Sequence, residues 1–231
     1  MTGKLYGVGV GPGDPELLTL KALRLIKESP VIAVPGTVPE NTVAYKIVVQ
    51  AYPELKDKEL LPVEMPMTKD PDKLRESHEK GAKAVAAILD QGKDVVFLTL
   101  GDTTVYSTYL YVHQRVEAMG YPTEIVSGIT SFCAVAARLN IGLVEKAEEL
   151  HVIPASYQIE EALQLSGTKV LMKAGKKMAE VKTVLRKLGA TAVMIENCGM
   201  PDEKIYRGVE EIPDDAGYYS LIIIKDKKEE N

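Results

Sequence analysis

Apolar positions in the first half of the chain alternate between short continuous runs and helical spacing. Continuous runs predict buried strands at residues 4–10, 31–34, 60–65, 94–100 and 123–126. Apolar residues three or four apart predict helices over 15–27, 41–51, 71–90, 106–119 and 132–139. Strands that alternate with helices are typical of βαβ units, so this half predicts a mainly parallel sheet.

The second half has a different pattern. Strands are predicted at 149–154, 169–173, 192–196, 204–209 and 218–225, with helices at 158–165 and 177–188. Residues 204–225 leave no room for a crossover helix, which indicates antiparallel pairs and a mixed sheet. We therefore expect two unlike α/β domains, 1–120 and 121–231.

A glycine-rich turn, Gly7-Val8-Gly9-Val10-Gly11-Pro12-Gly13, joins the first strand to the first helix. Asp14 is a natural helix N-cap, and Pro15 suits the first helical position. The turn does not match the dinucleotide fingerprint in either frame, and no Gly-Lys pair is followed by Ser or Thr as in a P-loop. Because Asp14 would also repel an anion at the helix N-terminus, the turn is not predicted to bind phosphate.

Two further junctions resemble the first in position. Gly101-Asp102-Thr103-Thr104-Val105-Tyr106-Ser107 follows the strand at 94–100, and Ser127-Gly128-Ile129-Thr130-Ser131 follows the strand at 123–126. The carboxyl ends of parallel strands meet at one edge of a sheet, where ligands of α/β proteins bind. We therefore expect these loops to contribute to one shared site.

Composition narrows the setting. The net charge of -5 favours neither nucleic acid nor an anionic membrane as a partner. No apolar run approaches the roughly 18 residues of a membrane helix, and two cysteines give no disulfide framework. The expected location is the cytoplasm.

Four segments resemble the tetrapyrrole (corrin/porphyrin) methylase family. They are Gly9-Val10-Gly11-Pro12-Gly13-Asp14-Pro15 with Leu17-Leu18-Thr19, Gly101-Asp102 with Tyr106, Gly128-Ile129-Thr130-Ser131-Phe132, and Leu171-Met172-Lys173. Tyr106-Ser107-Thr108-Tyr109 and Tyr218-Tyr219-Ser220-Leu221 are most similar to the branch that methylates C20 of precorrin-2 or cobalt-factor II in cobalamin biosynthesis. Thr103 and Ser127 replace prolines that are common in the family.

The resemblance implies a homodimeric C-methyltransferase that binds S-adenosylmethionine in a cleft between its two domains and a tetrapyrrole in an adjoining trough of the first domain. It assigns Asp102 and Tyr106 to catalysis, and Gly13 and Asp14 to the substrate. The cofactor residues that it implies are Pro12, Gly101, Asp102, Val105, Thr130, Ser131 and Met172. The alternatives are another methylase of this fold, acting on a different ring carbon, a diphthine precursor or ribosomal RNA, and a silent binder of nucleosides or tetrapyrroles.

Each assignment has a plain structural alternative. Asp102 is also a typical turn-capping residue, and Asp14 a typical N-cap. Tyr106 and Met172 are equally consistent with packing. His78, His113 and His151 lack metal-ligand spacing, so no protein-bound metal is expected. Cys133 and Cys198 are expected to be buried packing thiols, and the solvated helix-face charges are expected to include Lys73, Arg75, Arg115 and Arg138.

Overall fold

The structure is a computed structural model that describes residues 2–154 and 159–226. Residue contacts divide the chain into two compact units, Met1–Thr130 and Ser131–Asn231. This division differs from the boundary expected after residue 120. The strand at 123–126 pairs in parallel with the first strand of the chain, so it extends the sheet of the first unit.

The first unit is a parallel sheet covered by helices. Its strands are β1 (Leu5–Gly9), β2 (Val31–Pro35), β3 (Glu59–Val63), β4 (Val95–Thr99) and β5 (Thr123–Val126), in the order β3-β2-β4-β1-β5. All the pairings between these strands are parallel. Its helices are α1 (Leu20–Glu28), α2 (Val43–Ala51), α3 (Pro71–Leu89) and α4 (Tyr109–Ala118).

Both faces of this sheet are buried, as a parallel sheet requires. One face packs Val8, Val96 and Leu98 against α1 and α2. The other face packs Leu5 and Phe97 against α3 and α4. The helices thus occupy the two faces and leave the carboxyl ends of the strands to loops.

The second unit is a mixed sheet, as its pattern predicts. Its strands are β6 (Leu150–Pro154), β7 (Thr168–Met172), β8 (Thr191–Glu196), β9 (Lys204–Arg207) and β10 (Ser220–Lys225), in the order β6-β7-β10-β8-β9. Only β6 and β7 pair in parallel among these described strands. Its helices are α5 (Ser131–Arg138), α6 (Ile159–Ala162) and α7 (Met178–Leu188). Residue 158, the first of the predicted helix at 158–165, lies outside the described residues.

The start of the first helix differs from the prediction. Pro15–Leu17 form only a 3₁₀ turn, which Asp14 caps by accepting a hydrogen bond from the Glu16 amide at 2.8 Å. Leu18 is extended, and Thr19 then caps α1 by accepting from the Ala22 amide at 3.1 Å. The expected single helix over 15–27 is therefore wrong at its first turn, because two caps follow one another.

Two other helices start later than the sequence pattern predicts. Thr42, and not Asn41, caps α2 by accepting from the Tyr45 amide at 3.3 Å. Tyr106 has a left-handed backbone with φ of 50°, which ends any helical path before α4 begins at Tyr109.

Candidate active site

The glycine-rich loop after β1 is joined to the loop after β4 by two backbone hydrogen bonds. The Gly11 amide donates to the Gly101 carbonyl at 3.2 Å, and the Gly101 amide donates to the Gly11 carbonyl at 2.8 Å. Both glycines have positive φ, 77° and 73°, which L-residues rarely adopt. The predicted meeting of these two loops at one sheet edge is confirmed.

The loop after β5 contacts the same place through its glycine. A Cβ atom on Gly128 would lie 2.2 Å from the Gly101 carbonyl oxygen, and one on Gly9 would lie 2.6 Å from the Gly128 amide nitrogen. Either side chain would overlap with backbone that cannot move without disturbing the sheet. The three loops are therefore packed backbone to backbone, which leaves the site little freedom to deform.

Asp102 holds two of these loops together. One carboxylate oxygen, Oδ1, accepts from the amide of Thr104 at 2.7 Å and from its hydroxyl. The other oxygen, Oδ2, accepts from the Gly128 amide at 2.9 Å. The side chain is only 7% exposed. Asp102 therefore caps its own turn, as the plain interpretation predicts, and also fastens the loop after β4 to the loop after β5.

Thr103 adds a second connection between the same two loops. It is fully buried, and its hydroxyl donates to the Val126 carbonyl at 2.9 Å. A proline, common at this position in the family that the sequence resembles, has no group that could donate this bond. The departure at residue 103 thus exchanges a rigid ring for a hydrogen bond.

Three hydroxyls near these loops are buried and have no hydrogen-bond partner among the described residues. They belong to Thr99, Ser107 and Thr130. Buried polar atoms in native proteins are nearly always bonded, so unpaired ones point to a bound molecule or ordered water. Thr130, which comes two residues after Gly128, was predicted as a cofactor residue, and its hydroxyl fits a ligand with polar groups. Thr99 and Ser107 were not predicted, although a threonine at the end of the apolar run at 94–100 was a signal.

The remaining predicted site residues of the first unit lie on the loop after β1 and the loop after β4. Pro12 and Gly13 are buried, and Asp14 and Val105 are half-buried. Tyr106 is 48% exposed and lies on the loop after β4, with its strained left-handed backbone. Backbone strain of this kind is often found at functional sites. Their roles at the site stay predictions.

Ser131 and Met172 belong to the second unit. Ser131 is the first residue of α5, and Met172 is the last of β7, where it pairs with Leu221. Met172 is half-buried and packs beside Ile195 and Val170. The packing interpretation of Met172 is therefore correct, and its predicted cofactor role remains a separate proposal.

The histidines have local partners. His78 is buried and stacks on Tyr111 with ring centroids 4.7 Å apart, and burial lowers the pKa of its imidazole. His113 Nδ1 and the hydroxyl of Tyr109 are 3.0 Å apart, and His151 Nε2 bonds the Ser166 carbonyl at 2.9 Å. Across residues 2–154 and 159–226, we find no group of three or more His, Cys, Asp or Glu side chains that could hold a metal ion.

The cysteines only partly match the expectation of buried thiols. Cys198 is half-buried, whereas Cys133 is exposed, because the inward face of α5 is formed by its neighbours Ala134, Val135 and Ala136. Among the predicted solvated charges, Lys73, Arg75 and Arg138 are exposed as expected, and Arg115 is half-buried and donates to the Tyr111 carbonyl. None of the helices within the described ranges is long and apolar enough to cross a membrane.

The sequence is similar to those of known methyltransferases. Relatives named for one activity align along nearly the whole chain. A probable cobalt-precorrin-2 C(20)-methyltransferase of Methanocaldococcus jannaschii is 37% identical, covering 96% of both chains. The cobalt-precorrin-2 C(20)-methyltransferase of Salmonella typhimurium is 33% identical, covering 97% of both. A precorrin-2 C(20)-methyltransferase of a Sinorhizobium species is 30% identical, covering 96% of this chain and 95% of its own.

Solved structures agree on the fold. A cobalt precorrin-4 methyltransferase superimposes with a TM-score of 0.76 at 21% identity, covering 96% of this chain and 94% of its own. The uroporphyrin-III C-methyltransferase of Thermus thermophilus in complex with S-adenosylhomocysteine gives 0.71 at 23% identity, covering 97% and 98%. The family model of tetrapyrrole (corrin/porphyrin) methylases matches residues 4–213. This chain therefore belongs to the tetrapyrrole (corrin/porphyrin) methylase family.

Proposed function

We propose that this protein transfers a methyl group from S-adenosylmethionine to C20 of precorrin-2 or of its cobalt complex in cobalamin biosynthesis. The strongest support comes from three relatives that are 30–37% identical along nearly the whole chain. All three are named as methyltransferases of the same ring carbon, C20. The relatives include both metal-free and cobalt-containing substrates in their names, so the proposal includes both.

The geometry of the first unit suits a reaction that depends on positioning. S-adenosylmethionine supplies a methyl group on a sulfonium, which is transferred by an in-line displacement. Holding two reactants in line gives a large part of the acceleration in such reactions. The backbone-to-backbone packing of Gly9, Gly101 and Gly128 provides a rigid support for that alignment.

We assign the cofactor to residues at this support. In the first unit these are Pro12, Gly101, Asp102, Val105 and Thr130. The specific observation in favour is the Thr130 hydroxyl, which is buried and has no hydrogen-bond partner within residues 2–154 and 159–226. Ser131 and Met172 of the second unit are included on the family resemblance alone. No protein-bound metal has a part in this proposal, because any cobalt is bound by the nitrogens of the macrocycle.

The substrate is proposed to contact Gly13, Asp14 and Tyr106. A proton must leave C20 after methylation if the ring is to become neutral and conjugated, and this needs an acceptor. We propose Asp102 as that acceptor, directly or through water. It is a carboxylate at the meeting point of the loops, and its Oδ2 accepts one hydrogen bond within the described chain, from Gly128.

Two coarser features complete the proposal. We propose that the protein works as a homodimer, which rests on the family resemblance. We also propose that it works in the cytoplasm, since a chain with only two cysteines offers no disulfide framework, as is common for proteins of a reducing compartment.

The test is a transfer assay with S-[methyl-¹³C]-adenosylmethionine and precorrin-2, run in parallel with its cobalt complex. We expect one labelled methyl per macrocycle from at least one of the two substrates. Binding of either macrocycle without transfer would instead indicate a silent binder.

A further inference from the structure

The loop after β3 has a cationic side chain at the sheet edge where the proposed site lies. The loops at the carboxyl ends of the strands of the first sheet are residues 10–19, 36–42, 64–70, 100–108 and 127–130, all within the described range. Lys69 is the only lysine or arginine in any of them. The other basic residues of the first unit lie on helices or at the opposite edge. Those nearest in sequence, Lys73 and Arg75 in the first turns of α3, pair with Asp70 at 3.9 Å and Asp72 at 2.8 Å.

The acidic residues of these loops make this position distinctive. These loops contain six acidic residues, Asp14, Glu16, Glu40, Glu64, Asp70 and Asp102. A polyanionic ligand is repelled by such side chains and attracted to a cation among them, so the position of that cation favours one orientation of the ligand. Lys69 is exposed, and within the part of the chain that the structure describes it forms no ion pair.

The backbone that presents Lys69 is held in place on both sides. The Ser77 hydroxyl donates to the Glu64 carbonyl at 2.5 Å, which ties the start of the loop to α3. The Thr68 amide donates to the Pro66 carbonyl at 3.0 Å, and the Asp70 amide donates to the Thr68 hydroxyl at 3.1 Å. A cation on an ordered loop loses less conformational freedom on binding than one on a loose segment.

The same loop also exposes an apolar side chain. Met67 is 87% exposed, although methionine usually packs in cores. It lies two residues from Lys69 in the sequence, so the same short loop exposes one apolar and one cationic side chain. A macrocycle with carboxylate side arms has the matching pair of features.

The distance across the sheet is compatible with one ligand. In the strand order, only β2 separates β3 from β4. Neighbouring strands are about 4.8 Å apart, so the ends of β3 and β4 are separated by about 10 Å. A tetrapyrrole whose C20 lies near the loop after β4 therefore reaches the loop after β3 with its peripheral arms.

We infer that Lys69 binds a peripheral carboxylate of the macrocycle and orients it, with Met67 against its apolar edge. This inference rests on the proposed function and specifies its substrate contact. Lys69 is a binding and specificity residue and takes no part in methyl transfer itself.

Steady-state kinetics of Lys69→Gln with precorrin-2 test the inference. We expect KM to rise about 5- to 20-fold, as for loss of a charge-assisted hydrogen bond at a partly exposed site, with kcat within about twofold. Lys69→Arg restores most of the affinity. The KM of the wild type also rises more steeply with salt than that of Lys69→Gln, because screening weakens only the charged contact.

The control is Lys93→Gln. Lys93 precedes β4 at the opposite edge of the sheet, where its Nζ is 3.0 Å from Glu59, and its loss leaves KM unchanged. Affinity for S-adenosylhomocysteine and the unfolding midpoint stay at wild-type values in both variants. If the wild type methylates precorrin-2 but Lys69→Gln has a wild-type KM, or changes kcat instead, the inference about Lys69 is overturned while the proposed function stands. If the wild type does not methylate it, the proposed function fails first.

Discussion

The amide of Gly128 donates a hydrogen bond to Oδ2 of Asp102 at 2.9 Å. This bond joins residues far apart in the chain, and it connects the loop after β4 to the loop after β5. A side chain on Gly128 would exclude it, since a Cβ there would lie 2.2 Å from the Gly101 carbonyl. This contact between the two loops thus depends on the small size of Gly128 and on the carboxylate of Asp102.

Asp102→Asn is expected to keep the fold and to lower turnover at least about tenfold, because an amide cannot accept the proton that leaves C20 and a positioned general base typically contributes about 10²–10⁴-fold to the rate. All the donors around Asp102, the amides of Thr104 and Gly128 and the Thr104 hydroxyl, point at carboxylate oxygens. An asparagine NH₂ would face one of these donors. Circular dichroism and kcat under saturating substrate are the measurements.

The matched control for this variant is Asp94→Asn. Asp94 also accepts a backbone hydrogen bond, from the Lys4 amide at 2.7 Å, but it precedes β4 and so lies at the opposite edge of the sheet. It is expected to lower stability with little effect on kcat. Wild-type turnover in Asp102→Asn would leave Asp102 with a purely structural role.

Thr103→Val is expected to lower the free energy of unfolding by about 1–3 kcal/mol, because it leaves the buried Val126 carbonyl without its donor. Thr183→Val is the control, since the Thr183 hydroxyl donates to the Ala179 carbonyl at 2.9 Å on an exposed helix surface. Its loss is expected to change stability by less than about 0.5 kcal/mol. Denaturant unfolding of both variants measures the difference, and equal effects would argue against the connecting role of Thr103.

The stability contributed by Glu124 is expected to depend on pH. Hydrogen bonds from Lys21 and Lys4 lower the pKa of the Glu124 carboxyl to about 2. Because the folded pKa lies below the unfolded value of about 4.3, the stabilisation is complete above that value and is lost as the pH falls towards 2.

Glu124→Gln therefore lowers the free energy of unfolding by about 1 kcal/mol at pH 7, a value discounted for the partial exposure of the pairs. The difference in the free energy of unfolding between Glu124→Gln and the wild type becomes smaller below about pH 4.3. Urea unfolding between pH 7 and 3.5 is the measurement. Glu28→Gln, which removes an exposed i,i+4 pair with Arg24, is the control and is expected to be near neutral. A difference in the free energy of unfolding that stays constant with pH would contradict the pH-dependent stabilisation by Glu124.

Much of the first unit follows from local pattern. The strands β1, β2 and β4 are continuous apolar runs, and such runs are buried on both faces only in a parallel sheet with helices on each side. The meeting of Gly11 and Gly101 followed from the rule that parallel strands end at one edge. Membership of the family was visible in the motifs for the same reason, since those motifs are the loops at that edge.

The features that the sequence does not predict are those for which two local conformations have similar energies. Asp14 and Thr19 are both good caps, and only tertiary packing decides that Leu18 between them is extended. Tyr106 adopts a left-handed conformation that tyrosine disfavours, so no propensity indicates it. The exposure of Cys133 depends on which face of α5 packs inward, and its apolar neighbours leave that face ambiguous.

The central claim is tested most directly by locating the transferred methyl group. The protein is incubated with S-[methyl-¹³C]-adenosylmethionine and precorrin-2 or its cobalt complex, and the product is analysed by ¹³C NMR. The account predicts a single enriched methyl on C20. Enrichment at another ring carbon, or an unlabelled macrocycle from both substrates, would contradict it.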